Sequence, residues 1–166
     1  MKSTSEKVAF AIAIVIIIAV ISAIIGGIVL ITKLINYTKD SITPEKFAII
    51  MEEKGFTVIE DKDKFVSPYI TVDKKYTAKK DGYEIEFYTF KDVDDAEEFF
   101  SQTKAKFESN DSNVKVDFTG KNYAVFNIET NGRYKFVERI DKTVLCLNIN
   151  KQHKDTVDDI VKDLGY

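Results

Sequence analysis

Residues 8 to 32, VAFAIAIVIIIAVISAIIGGIVLIT, contain no charged side chain. An α-helix rises about 1.5 Å per residue, so this run spans roughly 37 Å against a hydrocarbon core of about 30 Å. A core helix of a soluble protein keeps one polar face, and no such face exists here. Export signals have a shorter apolar region, of about 7–15 residues. Lys2 and Lys7 do supply a basic start, and AVISA (19–23) offers small residues at cleavage spacing, but the apolar run continues well past Ala23. No cysteine lies nearby to take a lipid. The pattern therefore predicts a cytoplasmic head over 1–7 and an uncleaved transmembrane anchor over 8–35, with Lys33 reaching back to the headgroups. Basic residues flank both ends, so charge alone sets no orientation. A seven-residue head before a long anchor favours export of the remainder. Within the span, Ala19, Ala23 and Gly27 recur every fourth residue. Small residues at that spacing let two helix backbones approach closely in lipid, the arrangement of a homodimer formed through the anchor.

Beyond a short polar connector (36–42), residues 43–166 have the size of one domain with its own core. The whole chain carries a net charge of −3, with only Glu6 and Asp40 acidic before residue 43. The domain is thus acidic and lacks a basic stripe, which argues against nucleic acid as a partner. A single cysteine, Cys146, rules out an intramolecular disulfide or a multi-cysteine zinc site, and His153 is the only histidine.

Thr43-Pro44-Glu45 reads as an N-cap, first turn and dipole-matched acid for a helix over 43–56, with Phe47, Ile50 and Met51 as its stripe. A brief strand follows at 56–59, and 60–73 reads as irregular. Asp81-Gly82 is a two-residue hairpin signal between KKYTAKK and YEIEFYTF. A second helix spans 92–109. Four strands are then expected at 114–119, 123–130, 133–140 and 143–150, and Val157, Ile160, Val161 and Leu164 mark a closing amphipathic helix. The fold expected is α+β: the anchor, then one domain with a curved antiparallel sheet of six or seven strands and helices mainly on one face.

The segments TPEKFAIIMEEKGF, YTFKDVDDAEEFF and KDTVDDIVKDLGY resemble those of small, single-span or lipid-anchored envelope proteins of Gram-positive gut bacteria. The resemblance covers most of 43–166 and implies a location at the membrane and an architecture, with no activity attached.

No catalytic set is readable. His153 lies at the start of the last helix, where an imidazolium would oppose the dipole, and reads as an exposed histidine. Cys146, in a strand apolar on both faces, reads as a small core residue. Glu84 and Glu86 share one strand face and read as its solvated side. The acids at 92–98 suit a helix first turn, lack the glycine of a calcium loop and make no metal site. No cofactor-binding motif occurs. The candidate binding face is aromatic and basic: Tyr76, Tyr83, Tyr88, Tyr123 and Tyr134, interleaved with Lys79, Arg133, Lys135 and Arg139. If helices leave one sheet face bare, these residues would form an amphipathic platform. The expectation is a single-pass, non-enzymatic membrane protein whose extracytoplasmic domain binds a ligand or an envelope protein. The alternative is a small subunit or regulator of a larger membrane complex, acting partly through its transmembrane helix.

Overall fold

The structure, a computed structural model, describes residues 36–61, 65–67, 70–108 and 114–166. The head over 1–7 and the anchor over 8–35, with Ala19, Ala23 and Gly27, lie outside the described residues. Among the described residues no helix is long and apolar enough to cross a membrane.

Helix α1 (Pro44–Glu53) begins as its sequence requires, with Thr43 Oγ1 accepting from the Lys46 amide at 3.2 Å and proline in the first turn. Strands β1 (Thr57–Asp61), β2 (Phe65–Ser67), β3 (Ile70–Lys80) and β4 (Tyr83–Phe90) follow. Residues 60–73 are therefore more regular than expected, since β3 starts at Ile70 and β2 pairs with it. The turn between β3 and β4 has positive φ at both Asp81 (50°) and Gly82 (78°), the primed-turn geometry that matches strand twist. Helix α2 (Val93–Phe107) is capped by Asp92, whose carboxylate accepts from the Asp95 amide at 2.9 Å. Strands β5 (Val114–Thr119), β6 (Tyr123–Thr130), β7 (Arg133–Ile140) and β8 (Thr143–Asn150) form a meander at the expected positions. A short 3₁₀ turn, Lys151–His153, leads into α3 (Lys154–Asp163).

All ladders are antiparallel, in the order β1-β3-β4-β8-β7-β6-β5, with β2 added on β3. The seam between the β3–β4 hairpin and the meander is the β4–β8 ladder, from Ile85↔Leu147 to Thr89↔Thr143. The chain from β4 to β5 must cross the sheet, and α2 makes part of that crossing.

Helices cover both faces, not mainly one. On one face α1 and α3 bury Phe47, Met51, Val157 and Ile160 against Ile85, Phe87, Leu145 and Leu147. On the other, α2 buries Ala96, Phe99 and Phe100 against Tyr88, Phe90, Val137 and Cys146. The cause is local: β4, β7 and β8 carry apolar side chains at successive positions, so each strand presents two apolar faces that need covering. The folded unit runs from Thr38 to Tyr166, so the connector's second half packs with the domain.

Candidate functional site

The β3–β4 ladder continues to Lys80↔Tyr83 and the β7–β8 ladder to Arg133↔Asn150, whereas the β4–β8 ladder stops at Ile85↔Leu147. Beyond that rung the two halves of the sheet part. The opening is an open basin of about 640 Å³, lined by the Asp81-Gly82 turn, Tyr83, Glu84, Arg133, Asn148 and His153 among others.

Several of the lining side chains are held in place by specific contacts. Arg133 Nε donates to Asn148 Oδ1 at 2.9 Å, and a second guanidinium nitrogen donates to the Asn148 carbonyl. Two bonds from one planar group fix its direction. Among the described residues no carboxylate pairs with Arg133. Lys79 and Glu84 face each other at 3.4 Å, an exposed pair of little energetic weight. Lys80 Nζ donates to the Lys54 carbonyl at 2.7 Å, which ties the basin wall to the end of α1. The His153 ring stacks on Tyr83 with centroids 4.6 Å apart, and Gln152 Nε2 lies 3.0 Å from its Nε2. Burial raises the Tyr83 phenol above its ordinary value and Asp81 adds to the effect, so it stays a neutral hydroxyl. His153 is half-buried here, not exposed.

The nine residues of the aromatic and basic platform do not share a face. Register places Tyr76, Tyr83, Tyr123 and Tyr134 on the face covered by α1 and α3, and Tyr88, Lys79, Lys135, Arg133 and Arg139 on the face of α2. Tyr88, Tyr123 and Tyr134 are buried. Arg139 is buried too, pairing with Glu97 at 3.0 Å and donating to the Asn122 and Asp141 carbonyls, which stitches two turns together. Lys135 reaches the Phe107 carbonyl at the end of α2. Only Lys79, Tyr83 and Arg133 of the nine meet, and they meet in the basin. Of the basin's remaining members, Asn148 and Asn150 carry a sequence signal. Asn148 and Asn150 are polar breaks at the end of a strand, TVLCLNIN, whose positions 144–147 are all apolar.

Next to the basin, on the α2 side of the sheet, a compact charge network occupies β1, β3 and β4. Lys75 Nζ lies 2.8 Å from Glu86 and 3.3 Å from Asp61, and Thr77 Oγ1 donates to Asp61 at 2.7 Å. Burial pulls the Lys75 ammonium down, but the two carboxylates outweigh it and leave it raised. The Thr77 hydroxyl is the main reason that Asp61 is lowered. Glu84 and Glu86 each have a lysine against them, so they do not form a proton-sharing carboxylate pair. Among the described residues no group of three or more histidine, cysteine or carboxylate side chains is placed to hold a metal ion.

No protein-family model, curated protein or solved structure matches this chain.

Proposed function

We propose that this chain is a single-pass, non-enzymatic envelope protein, anchored by residues 8–35, whose exported domain holds a small anionic ligand at the β4–β8 seam. The observation that carries the ligand reading is the Arg133 guanidinium, steered by Asn148 at the mouth of an open seam and, among the described residues, paired with no carboxylate. Guanidinium forks favour carboxylate and phosphate oxygens, and Asn148, Asn150 and the Tyr83 hydroxyl supply further polar partners around it. Lys79 and Lys80 offset Asp81 and Glu84, so the lining leans cationic through Arg133. The anchor is supported by the uncharged run in the sequence.

Two measurements test this. In intact cells, digestion of residues 43–166 by added protease is expected; protection until lysis would overturn export. For the ligand, the sole histidine provides one resolved imidazole signal, stacked on Tyr83 within the basin. Titration of the full chain with inorganic phosphate, and separately with acetate, should shift that signal saturably, and Arg133→Gln should abolish the shift. Equal responses in wild type and variant would sink the site.

A second reading, a small subunit or regulator of a larger membrane complex, is favoured by the spacing of Ala19, Ala23 and Gly27 alone. Stoichiometric co-purification of a second membrane protein, lost in Ala23→Leu, would select it.

A further inference from the structure

Strand β5 ends the sheet, and among the described residues it pairs only with β6. An unpaired strand edge is a template for another strand, and proteins usually blunt it with charge. Within the chain Lys115 lies 2.9 Å from Glu108, and Asp117 accepts from Lys104 at 2.7 Å. These are solvent-exposed pairs of little energetic weight, so both charges can also turn to a strand laid on the edge. Lys115, Val116 and Asp117 read as basic, apolar, acidic, symmetric in position and opposite in sign about Val116. Register puts Lys115 and Asp117 on the α2 face and Val116 on the other. Val116 is 41% exposed, one of four large apolar side chains left open among the described residues.

Two copies laid antiparallel with Val116 facing Val116 bring Lys115 of each opposite Asp117 of its partner. Opposite charges across a non-bonded or bonded strand pair attract, and like charges repel. Slipping the register by two residues in one direction sets Lys115 against Lys115, and in the other Asp117 against Asp117. Both slips are disfavoured, so the charges select one register as well as permitting pairing. The two-fold axis then runs perpendicular to the sheet, and the covered faces of the two copies stay on the same sides.

We infer that the β5 edge is a self-association surface, and that its occupant is β5 of a second copy of this chain, paired antiparallel about Val116. A six-residue edge is a small interface, below the size of a stable soluble dimer. Two copies in one bilayer meet at high effective concentration, so the strength of this contact rests on the anchor proposed above. Its register does not.

The test uses the full chain in lipid nanodiscs or cells. Val116→Cys places a thiol on the axis, while the native Cys146 is buried. Mild oxidation should join Val116→Cys chains into dimers, and should leave Ile59→Cys, exposed on β1 at the far end of the sheet, monomeric. In the Val116→Cys background, Lys115→Asp alone and Asp117→Lys alone each set like charges opposite one another twice. Each should lower cross-linking, by roughly tenfold. Mixing those two variants restores opposite charges at both positions and should recover a mixed dimer. Circular dichroism of each variant checks that the fold persists. Three results would overturn the inference: equal cross-linking at Ile59→Cys, indifference to both charge reversals, or no recovery on mixing. A dimer held through Ala19, Ala23 and Gly27 would give the second of these, and failure of export in the protease assay would leave all three readouts unchanged.

Discussion

The Lys39 ammonium lies 2.6 Å from the Glu138 carboxylate, and that carboxylate is only 2% exposed. Lys39 is the second residue of the folded unit, so the chain enters the domain by inserting a charge into it. Its backbone is held as well: Asn122 Oδ1 accepts from the Lys39 amide at 3.0 Å, and Asn122 Nδ2 donates to the Lys39 carbonyl at 2.9 Å. Removing one member of a buried pair leaves the other desolvated and unmatched, which costs about 3–5 kcal/mol. Lys39→Met should lower stability by that order in urea unfolding. The double variant Lys39→Met/Glu138→Leu should regain most of the loss, because no charge is then stranded. A double variant as unstable as Lys39→Met would show that the ammonium acts through something other than Glu138.

The same carboxylate gives a pH dependence of fixed sign. Burial pushes Glu138 above its ordinary value of 4.5, and Lys39 only partly offsets this. The folded state therefore binds this proton more tightly than the unfolded chain does. Its contribution to stability is fully present below pH 4.5 and is lost as the pH rises from there towards the raised value. Asp61, held low chiefly by Thr77, acts in the opposite sense: its stabilisation is present above its ordinary 3.8 and fades as the pH falls. The buried Tyr134 and Tyr166 phenols, both pushed up by burial, stay neutral throughout this window. Subtracting the stability of Glu138→Gln from that of wild type at each pH isolates the Glu138 contribution. The difference should decline as pH rises above 4.5. A flat difference would contradict it.

Much of the fold could be read locally and little of the site could. Asp81-Gly82 marks its hairpin, and Asn131-Gly132, with φ of 47° and 73°, turns β6 into β7 in the same way, because few residues other than asparagine, aspartate and glycine accept positive φ. Thr43-Pro44 and Asp92 marked two helix starts by the hydrogen bonds they make. The first residues of β3 carry no strand pattern, because Ile70 and Val72 alternate for only two positions before the lysines begin. Which strand face is bare is a different kind of question. Tyr88 and Tyr134 have equal strand propensity and comparable charged neighbours, and their burial depends on which helix packs on which sheet face, a tertiary choice that no strand-level pattern carries. The basin is further removed still, since it exists because one ladder stops before its neighbours do. Arg133 and Tyr83 meet only through the pairing of β4 with β8, which no local pattern encodes.

Asn122 is the hinge of the entry clamp. Besides Lys39, its Nδ2 reaches Asp141 at 3.0 Å, and its carbonyl accepts from the Asp141 amide at 2.8 Å. The β5–β6 turn, the β7–β8 turn and the connector are thus joined through one side chain. Asn122→Asp keeps the acceptor for the Lys39 amide, loses both donated bonds and sets two carboxylates together. It should cost about 1–3 kcal/mol and expose the connector. Limited proteolysis at residues 36–42 should become fast in Asn122→Asp while α1 and the sheet remain resistant. Uniform sensitivity along the chain would instead mean that the whole fold had been lost.

Cys146 supplies an internal clock for these effects. Its thiol is buried, burial pushes its pKa up, and the nearby Glu86 carboxylate, 3.5 Å from Sγ, pushes in the same direction. A thiol without access and without thiolate character does not alkylate. Iodoacetamide at neutral pH should therefore label Cys146 only through opening of the fold, and completely in urea. Glu86→Gln removes one of the two causes and leaves burial, so native labelling should stay slow. Lys39→Met should speed it, because each 1.4 kcal/mol of lost stability raises the open population about tenfold. If opening is global, the cost expected for Lys39→Met corresponds to an acceleration of roughly a hundredfold or more. Rapid labelling of the wild-type chain would show a local path to the thiol between α2 and the sheet, and the slow step in Lys39→Met would then report that path and not the buried ion pair.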